Sequence, residues 1–319
     1  MIVGIHHIGV SVESLDRSSA FYGAAFGFEE ILRFDLHDDP AGRAMLRLPR
    51  IAGRAALLRG PNMIVEAIEF ADPVRRDFDR PVNEPGITHF CLQTSSLIEA
   101  RSRLEAAGGR FESEPTDLGA DILYAYPRDP DGNVVELECL PAAGAGAEPV
   151  WAAHVSVSTP DLDRAVAFYE ALTGATARRS GRLGPNPKFD HLTRLDGVQV
   201  SGAWLQVGNL QLELWQYHEP AAHGVDRGRA LSDPGYSHFA FEVDDLRGER
   251  ERAERLGMEF QGEPVSTAGM TATYGRDPDG NVIEFIQFVG TGRRLSIGAL
   301  PDPGIVDRVE RARHGARSR

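Results

Sequence analysis

Hydrophobic and polar positions alternate with period two through His7–Val12. Ile8, Val10 and Val12 share one face, and His7, Gly9 and Ser11 the other, which predicts a strand. The period then changes. Ser14 reads as an N-cap, and Leu15, Tyr22 and Phe26 follow at helical spacing. Turn-separated strands run on to about Phe70. The pattern restarts with a strand over His89–Gln93, the capping box Ser96-x-x-Glu99, and a helix carrying Leu97 and Leu104. Gly108 is placed to stop that helix. Three more strands reach Leu140, the last pair joined by an Asp-Pro-Asp-Gly-Asn turn. The expected unit is strand, helix, three strands, occurring twice by residue 140.

The whole passage then returns. His7-Ile-Gly-Val-Ser-Val reappears as His154-Val-Ser-Val-Ser-Thr, and each stretch runs into Asp-Arg and then Ala-Phe-Tyr, ending at Tyr22 and Tyr169. Asn62–Glu66 matches Asn209–Glu213, Gly86–Phe90 matches Gly235–Phe239, and Arg128–Glu136 matches Arg276–Glu284. The spacing between copies stays nearly constant, so the chain is a duplication with small loop changes. In the second copy Asp161 caps a stripe of Leu162, Val166, Tyr169 and Leu172, strands end near Tyr217, and Gly257 stands where Gly108 did. The expected architecture is α+β: a first domain over 1–140, a small-residue linker over 141–149, a second domain over 150–290, and a basic tail over 291–319.

Composition narrows the function by exclusion. The 319 residues are 42% hydrophobic and 25% charged, enough for real cores. Lys+Arg 34 against Asp+Glu 47 leaves a net charge of −13, which repels nucleic acid and anionic membranes. The exception is the tail, with seven arginines against Asp302, Asp307 and Glu310; it is expected to pack loosely or remain disordered. Cys91 and Cys139 cannot staple such a chain. Neither a signal peptide nor a membrane span is visible, so a cytoplasmic monomer or homodimer acting on a small molecule is expected.

Candidate chemistry lies on the strands. His7, His89, His154 and His238 each look onto a face kept clear by small neighbours such as Gly9, Ser156, Cys91 and Ala240. Glu66 and Glu213 lie within apolar strands, and Glu136 and Glu284 in the strands after the Gly-Asn turns. An isolated carboxylate is costly among apolar neighbours. Two imidazoles and two carboxylates per copy suit a divalent ion such as Zn, Ni, Co, Mn or Fe(II). Whether each set of four forms within one copy or is shared across the linker is open. His6 should face away from His7 in a structural role, and Cys91 should be a small core filler. His191, His218 and His223 have no counterpart in the first copy; they either shape a pocket of the second half or are solvated.

These motifs resemble the vicinal-oxygen-chelate superfamily, which includes glyoxalase I, methylmalonyl-CoA epimerase, type I extradiol dioxygenases and bleomycin-resistance proteins. The resemblance rests on His7-Ile-x-Val-x-Val with Phe21-Tyr22 and Phe26-Gly27-Phe28, and on the endings Tyr126 to Glu136 and Tyr274 to Glu284. It implies two tandem domains, each of two βαβββ modules whose curved mixed sheets enclose a metal site. It assigns ligand roles to His7, Glu66, His89 and Glu136, and to His154, Glu213, His238 and Glu284. It further implies that Glu136 or Glu284 detaches and acts as base, abstracting a proton next to a carbonyl while the metal chelates two vicinal oxygens. Tyr126 and Tyr274 are candidates at the same sites, although packing with the hydroxyl at the cavity edge is the simpler role. Two alternatives remain: an Fe(II) ring-cleaving dioxygenase and a non-catalytic ligand-binding protein. Against the first, no histidine lies between His89 and His154 or between His238 and His314, where extradiol enzymes keep an acid–base histidine. Against lactoylglutathione lyase itself, Ser11 and Ser158 stand where glyoxalase I has a glutathione-contacting arginine.

Overall fold

The computed structural model describes residues 1–72, 80–119, 122–140, 150–221, 229–267 and 269–317, with side chains to residue 311. The linker 141–149, His223 and the side chain of His314 lie outside the described residues.

Four modules follow one another. The first contains β1 (Ile2–Ser11), α1 (Leu15–Phe26), β2 (Glu29–Asp35), α2 (Pro40–Leu46), β3 (Gly53–Arg59) and β4 (Ile64–Phe70). The second contains β5 (Gly86–Thr94), α3 (Leu97–Ala106), β6 (Thr116–Asp117), β7 (Leu123–Ala125) and β8 (Val134–Cys139). The third repeats the first as β9 (Trp151–Ser158), α4 (Leu162–Thr173), β10 (Arg178–Arg179), α5 (Pro187–Thr193), β11 (Gln199–Val207) and β12 (Leu210–Glu219). The fourth repeats the second as β13 (Gly235–Val243), α6 (Leu246–Arg255), β14 (Glu259–Thr267), β15 (Met270–Arg276) and β16 (Val282–Phe288). Two 3-10 turns, Gly290–Leu295 and Ile297–Ala299, lead to α7 (Ile305–Arg317).

The expected caps are in place. Ser14, Ser96 and Asp161 accept from the backbone N–H groups of Arg17, Glu99 and Arg164. The unit of three strands after each helix needs correction in the first and third modules, where α2 and α5 interrupt it. Their own local signal is Asp39-Pro40 and Asn186-Pro187, an N-cap followed by a proline at the first helical position.

The modules pair across the repeats. One eight-stranded sheet has the order β14-β15-β16-β13-β1-β4-β3-β2 and joins module one to module four. The other, β10-β11-β12-β9-β5-β8-β7-β6, joins module two to module three. At each centre an antiparallel pair, β1 with β13 and β5 with β9, is flanked by parallel neighbours. Each sheet curls into a half-barrel, here A (modules one and four) and B (modules two and three). The helices and the outer sheet faces share one core, in which Phe90, Phe239 and Phe285 are fully buried. Burial of each contributes about 1.5–3 kcal/mol.

Modules of one repeat hold each other by helix packing, α1 against α3. Tyr22 Oη, on α1, donates to Asp129 of the second module's turn at 3.0 Å, and Tyr169 Oη to Asp277 at 2.7 Å. Both aspartates also accept from the asparagine that ends the turn, Asn133 or Asn281. At the pseudo-twofold axis Asn62 and Asn209 each donate to the other's carbonyl.

The tail also differs from expectation. Ile297 and Leu300 are buried against Leu57 and Ile64, Asp302 N donates to Pro61 O, and Val306 enters the main core. Spacing alone hid this, because Gly298, Pro301, Pro303 and Gly304 interrupt the segment before an apolar period can be recognised. No helix among the described residues is long and apolar enough to cross a membrane.

Candidate metal centres

Because the sheets pair crosswise, so do the candidate ligands. His7 and Glu66 from the first repeat meet His238 and Glu284 from the second inside half-barrel A. His89 and Glu136 meet His154 and Glu213 inside half-barrel B. In each group one donor atom per residue lies within 4.8 Å of the other three. In A, His7 Nε2 is 3.1 Å from Glu284 and 3.6 Å from Glu66, while His238 Nε2 is 3.3 Å from both. In B, His154 Nε2 is 2.8 Å from Glu136 and 3.2 Å from Glu213, and His89 Nε2 is 3.1 and 3.6 Å from the same pair. All eight expected ligands are thus brought together, and the question of pairing is resolved in favour of sharing across the linker.

The histidines reach the inner face through a local device. Each is preceded by the extra residue of a β-bulge, where two residues face one on the partner strand. The bulged residues are His6, Thr88, Ala153 and Ser237. His6 therefore does not face away from His7, as strict alternation required. It lies beside His7 on the cavity side, with the two Nδ1 atoms 2.7 Å apart. His6 Nε2 is 2.6 Å from the Leu295 carbonyl, so it must donate there, which leaves His6 Nδ1 to accept from His7 Nδ1–H. His7 Nε2 is then a bare lone pair aimed at the cluster. Burial, then the neighbouring His7, push the His6 pKa down to about 3, so the ring stays neutral. Thr88 Oγ1 and Ser237 Oγ lie 3.1 Å from Nδ1 of His89 and His238 and can do the same. Ala153 has no polar atom to offer His154. The adjacent His6-His7 pair was visible in sequence, but the bulge was not.

Small residues open the space. A Cβ on Gly9 would lie 2.1 Å from the His238 ring, so glycine is required for that ring to lie across β1. Ser156 is the counterpart in B, next to His89, and its hydroxyl is buried without a hydrogen bond.

Electrostatics follow from burying two carboxylates against two imidazoles. Burial opposes charge on His238, but the hydrogen bonds and charges of Glu284 and Glu66 outweigh it and raise the pKa to about 9. His154 is raised well above its usual value by Glu213 and Glu136, again against burial. Burial would raise Glu284 and Glu213; the facing histidines instead hold both well below the usual carboxylate range. Glu213 Oε2 is buried without a hydrogen-bond partner of good geometry. The donor set, two buried nitrogens and two carboxylates around one point, fits a divalent ion.

The tyrosines differ. Tyr274 Oη donates to Glu284 Oε2 at 2.8 Å, whereas Tyr126 stacks at a tilt on His89 with ring centres 5.2 Å apart. Trp204 Nε1 donates to Glu213 Oε1 at 2.8 Å, a contact the sequence did not flag. Cys91 is buried beside B, close enough to Glu138 and His154 to form a third group of donors, and burial pushes its thiol pKa up. His191 accepts from Glu114 N and His218 bonds Ser201; neither lines a cavity of either half-barrel.

The sequence matches the Glyoxalase/Bleomycin resistance protein/Dioxygenase superfamily twice, over residues 4–137 and 151–285. It is 25% identical to "Lactoylglutathione lyase GLX1" of Arabidopsis thaliana, covering 86% of this chain and 88% of that protein. An "Ethylmalonyl-CoA/methylmalonyl-CoA epimerase" of Cereibacter sphaeroides is 26% identical, covering 43% of this chain and 98% of that protein. The crystal structure of glyoxalase I from Zea mays superposes with a TM-score of 0.63 at 19% identity, covering 89% of this chain and 92% of that one, a likeness of fold. With both repeats matched and both curled sheets built as that fold requires, the chain belongs to the glyoxalase/bleomycin resistance protein/dioxygenase superfamily as a tandem two-domain member.

Proposed function

We propose that the chain is a divalent-metal-dependent enzyme of the glyoxalase and epimerase type, moving a proton next to a carbonyl of a small substrate. The observation that carries this reading is the convergence of two His Nε2 atoms and two Glu oxygens in each half-barrel, open to a cavity. His7, Glu66, His238 and Glu284 would hold one ion, and His89, Glu136, His154 and Glu213 a second. When bound, such an ion supplies Lewis acidity toward a pair of neighbouring substrate oxygens.

The protein's own groups supply the rest. Glu284 Oε2, which accepts from Tyr274 Oη, would take a proton from the substrate carbon and return it. Glu136 is its counterpart in B. Tyr274 fixes the carboxylate by donating to it, and burial keeps its phenol far from ionising at neutral pH. His6 and Ser237 hold the two histidines of A with Nε2 inward. The relatives named lactoylglutathione lyase and epimerase support this reaction type, while Ser11 and Ser158 in place of the glutathione-contacting arginine point away from a glutathione adduct as substrate.

The test is exchange of a substrate α-hydrogen with solvent deuterium under nitrogen, screened over 2-oxo acids and acyl thioesters after loading with Zn, Ni, Co, Mn or Fe(II). Exchange that Glu284→Gln suppresses is expected, because an amide can still coordinate but cannot take the proton. Oxygen consumption with a catechol and formation of a yellow ring-opened product would replace this reading by the dioxygenase one.

A further inference from the structure

The two half-barrels carry the same donors on walls of opposite character. Leu57 lies across the ladder from Glu66, and Trp204 lies across from Glu213. Two residues past those glutamates stand Ile68 in A and Trp215 in B. Two past Glu284 and Glu136 stand Ile286 and Glu138, and two before Tyr274 and Tyr126 stand Ala272 and Tyr124. All eight line their cavities. At matched positions A therefore presents Leu, Ile, Ile and Ala, where B presents Trp, Trp, Glu and Tyr. The B wall is polar and braced: Glu138 accepts from Gln93 Nε2 at 2.5 Å, and Arg178 stacks over Trp204.

The A cavity is also the larger, about 600 Å³ against about 390 Å³. Outside the cluster of His7, Glu66, His238 and Glu284, the charged side chain among the described residues of its lining is Arg294, on the 3-10 turn Gly290–Leu295. Arg294 is exposed and makes no hydrogen bond or ion pair among the described residues. A free guanidinium beside an apolar chamber complements an anion attached to a hydrocarbon body. A peptide thiol adduct with two carboxylates and an ammonium would find, outside the four-donor cluster, one cation among the described lining residues.

We propose that half-barrel A binds an amphipathic carboxylic acid, its apolar body against Leu57, Ile68, Ala272 and Ile286 and its carboxylate at Arg294. As a binding site this stands on the cavity itself. As a substrate class it rests on the proposed function, and the acid then also carries the neighbouring oxygen pair presented to the four donors.

The test is fluorescence titration of the full chain with dansyl-undecanoic acid, on the protein as purified and again after chelation. One saturable site per chain is expected. Displacement by hexanoate, octanoate and decanoate should tighten by roughly fourfold per added methylene. Ile286→Glu, which imports the residue of the opposite wall, should weaken binding at least roughly tenfold. Ala272→Tyr should do likewise by filling the chamber without adding charge, and serves if the acidic variant does not fold. Arg294→Ala should weaken binding by roughly three- to tenfold. Glu138→Ile in B should leave binding unchanged. Absence of saturable binding, equal loss from wall changes in B, or displacement by S-hexylglutathione at a lower concentration than decanoate each overturns the proposal. A chain that binds the probe but takes up no divalent metal refutes the proposed function and leaves this site standing. Metal uptake without probe binding does the reverse.

Discussion

Half-barrel A and half-barrel B start from the same strand order and the same two histidines and two glutamates, and they diverge one layer out. In A, His7 leans on His6 and Glu66 faces Leu57; in B, His154 follows Ala153 and Glu213 receives the indole N–H of Trp204. The donors are tied to bulges and ladder register, which a single substitution does not move. Wall residues are tied only to their own contacts. The geometry of the cluster and the character of the cavity are therefore separately adjustable, and mutations should treat the two halves differently.

The largest difference comes from removing a ligand. His238→Ala should lower metal affinity in A by more than roughly 100-fold and leave B loaded, exceeding the change typical of outer partners. Metal analysis should fall from two ions per chain to one, with the fold intact because the β13 side chains in the main core, Tyr236, Phe239, Phe241 and Val243, are untouched. Loss of both ions together would mean that the half-barrels are not independent.

Next in size is His6→Ala, which frees the Nδ1–H of His7. A loss of roughly 10- to 100-fold in A alone is expected by competition with a metal indicator dye. An unchanged affinity would reduce His6 to packing.

Proton and metal compete for the same nitrogens, which gives a smaller, pH-dependent effect. The folded pKa of His238, about 9, lies above the unfolded value of 6.5. Its ion pairs with Glu284 and Glu66 thus stabilise the metal-free protein fully below about pH 6.5, and that contribution is lost as pH rises through about 9. The Tm of chelated protein should fall across this window, while metal affinity rises as the proton leaves. In His238→Gln the A share of that fall should vanish and the B share remain.

The smallest expected effect is a gain. Ala153→Ser places a hydroxyl where Ser237 has one, and should strengthen metal binding in B by roughly two- to tenfold. No change would mean that His154 is already held by its ring packing.

Much of this was legible in the residues. Repetition, caps and the eight donors follow from spacing and from the cost of carboxylates in apolar strands. The bulge at His6 was not legible, since alternation within β1 assumes a regular ladder and the irregularity depends on β13, more than two hundred residues away. Crosswise pairing was equally hidden, because the modules of one repeat are equivalent in pattern and differ only in which partner edge they meet. Docking of the tail was not legible either, because Ile297, Leu300 and Val306 show no period that separates a docked segment from a loose one.

The crosswise assembly also bears on heredity. Two free copies of one repeat, related by a twofold axis, would build both chambers from the same stretch of gene, so any altered wall residue would appear in both at once. Joined in one chain, the repeats give each chamber codons of its own. Ile286 can be an isoleucine while Glu138 stays a glutamate, and one inherited scaffold can support two unlike binding specialities without a second protein.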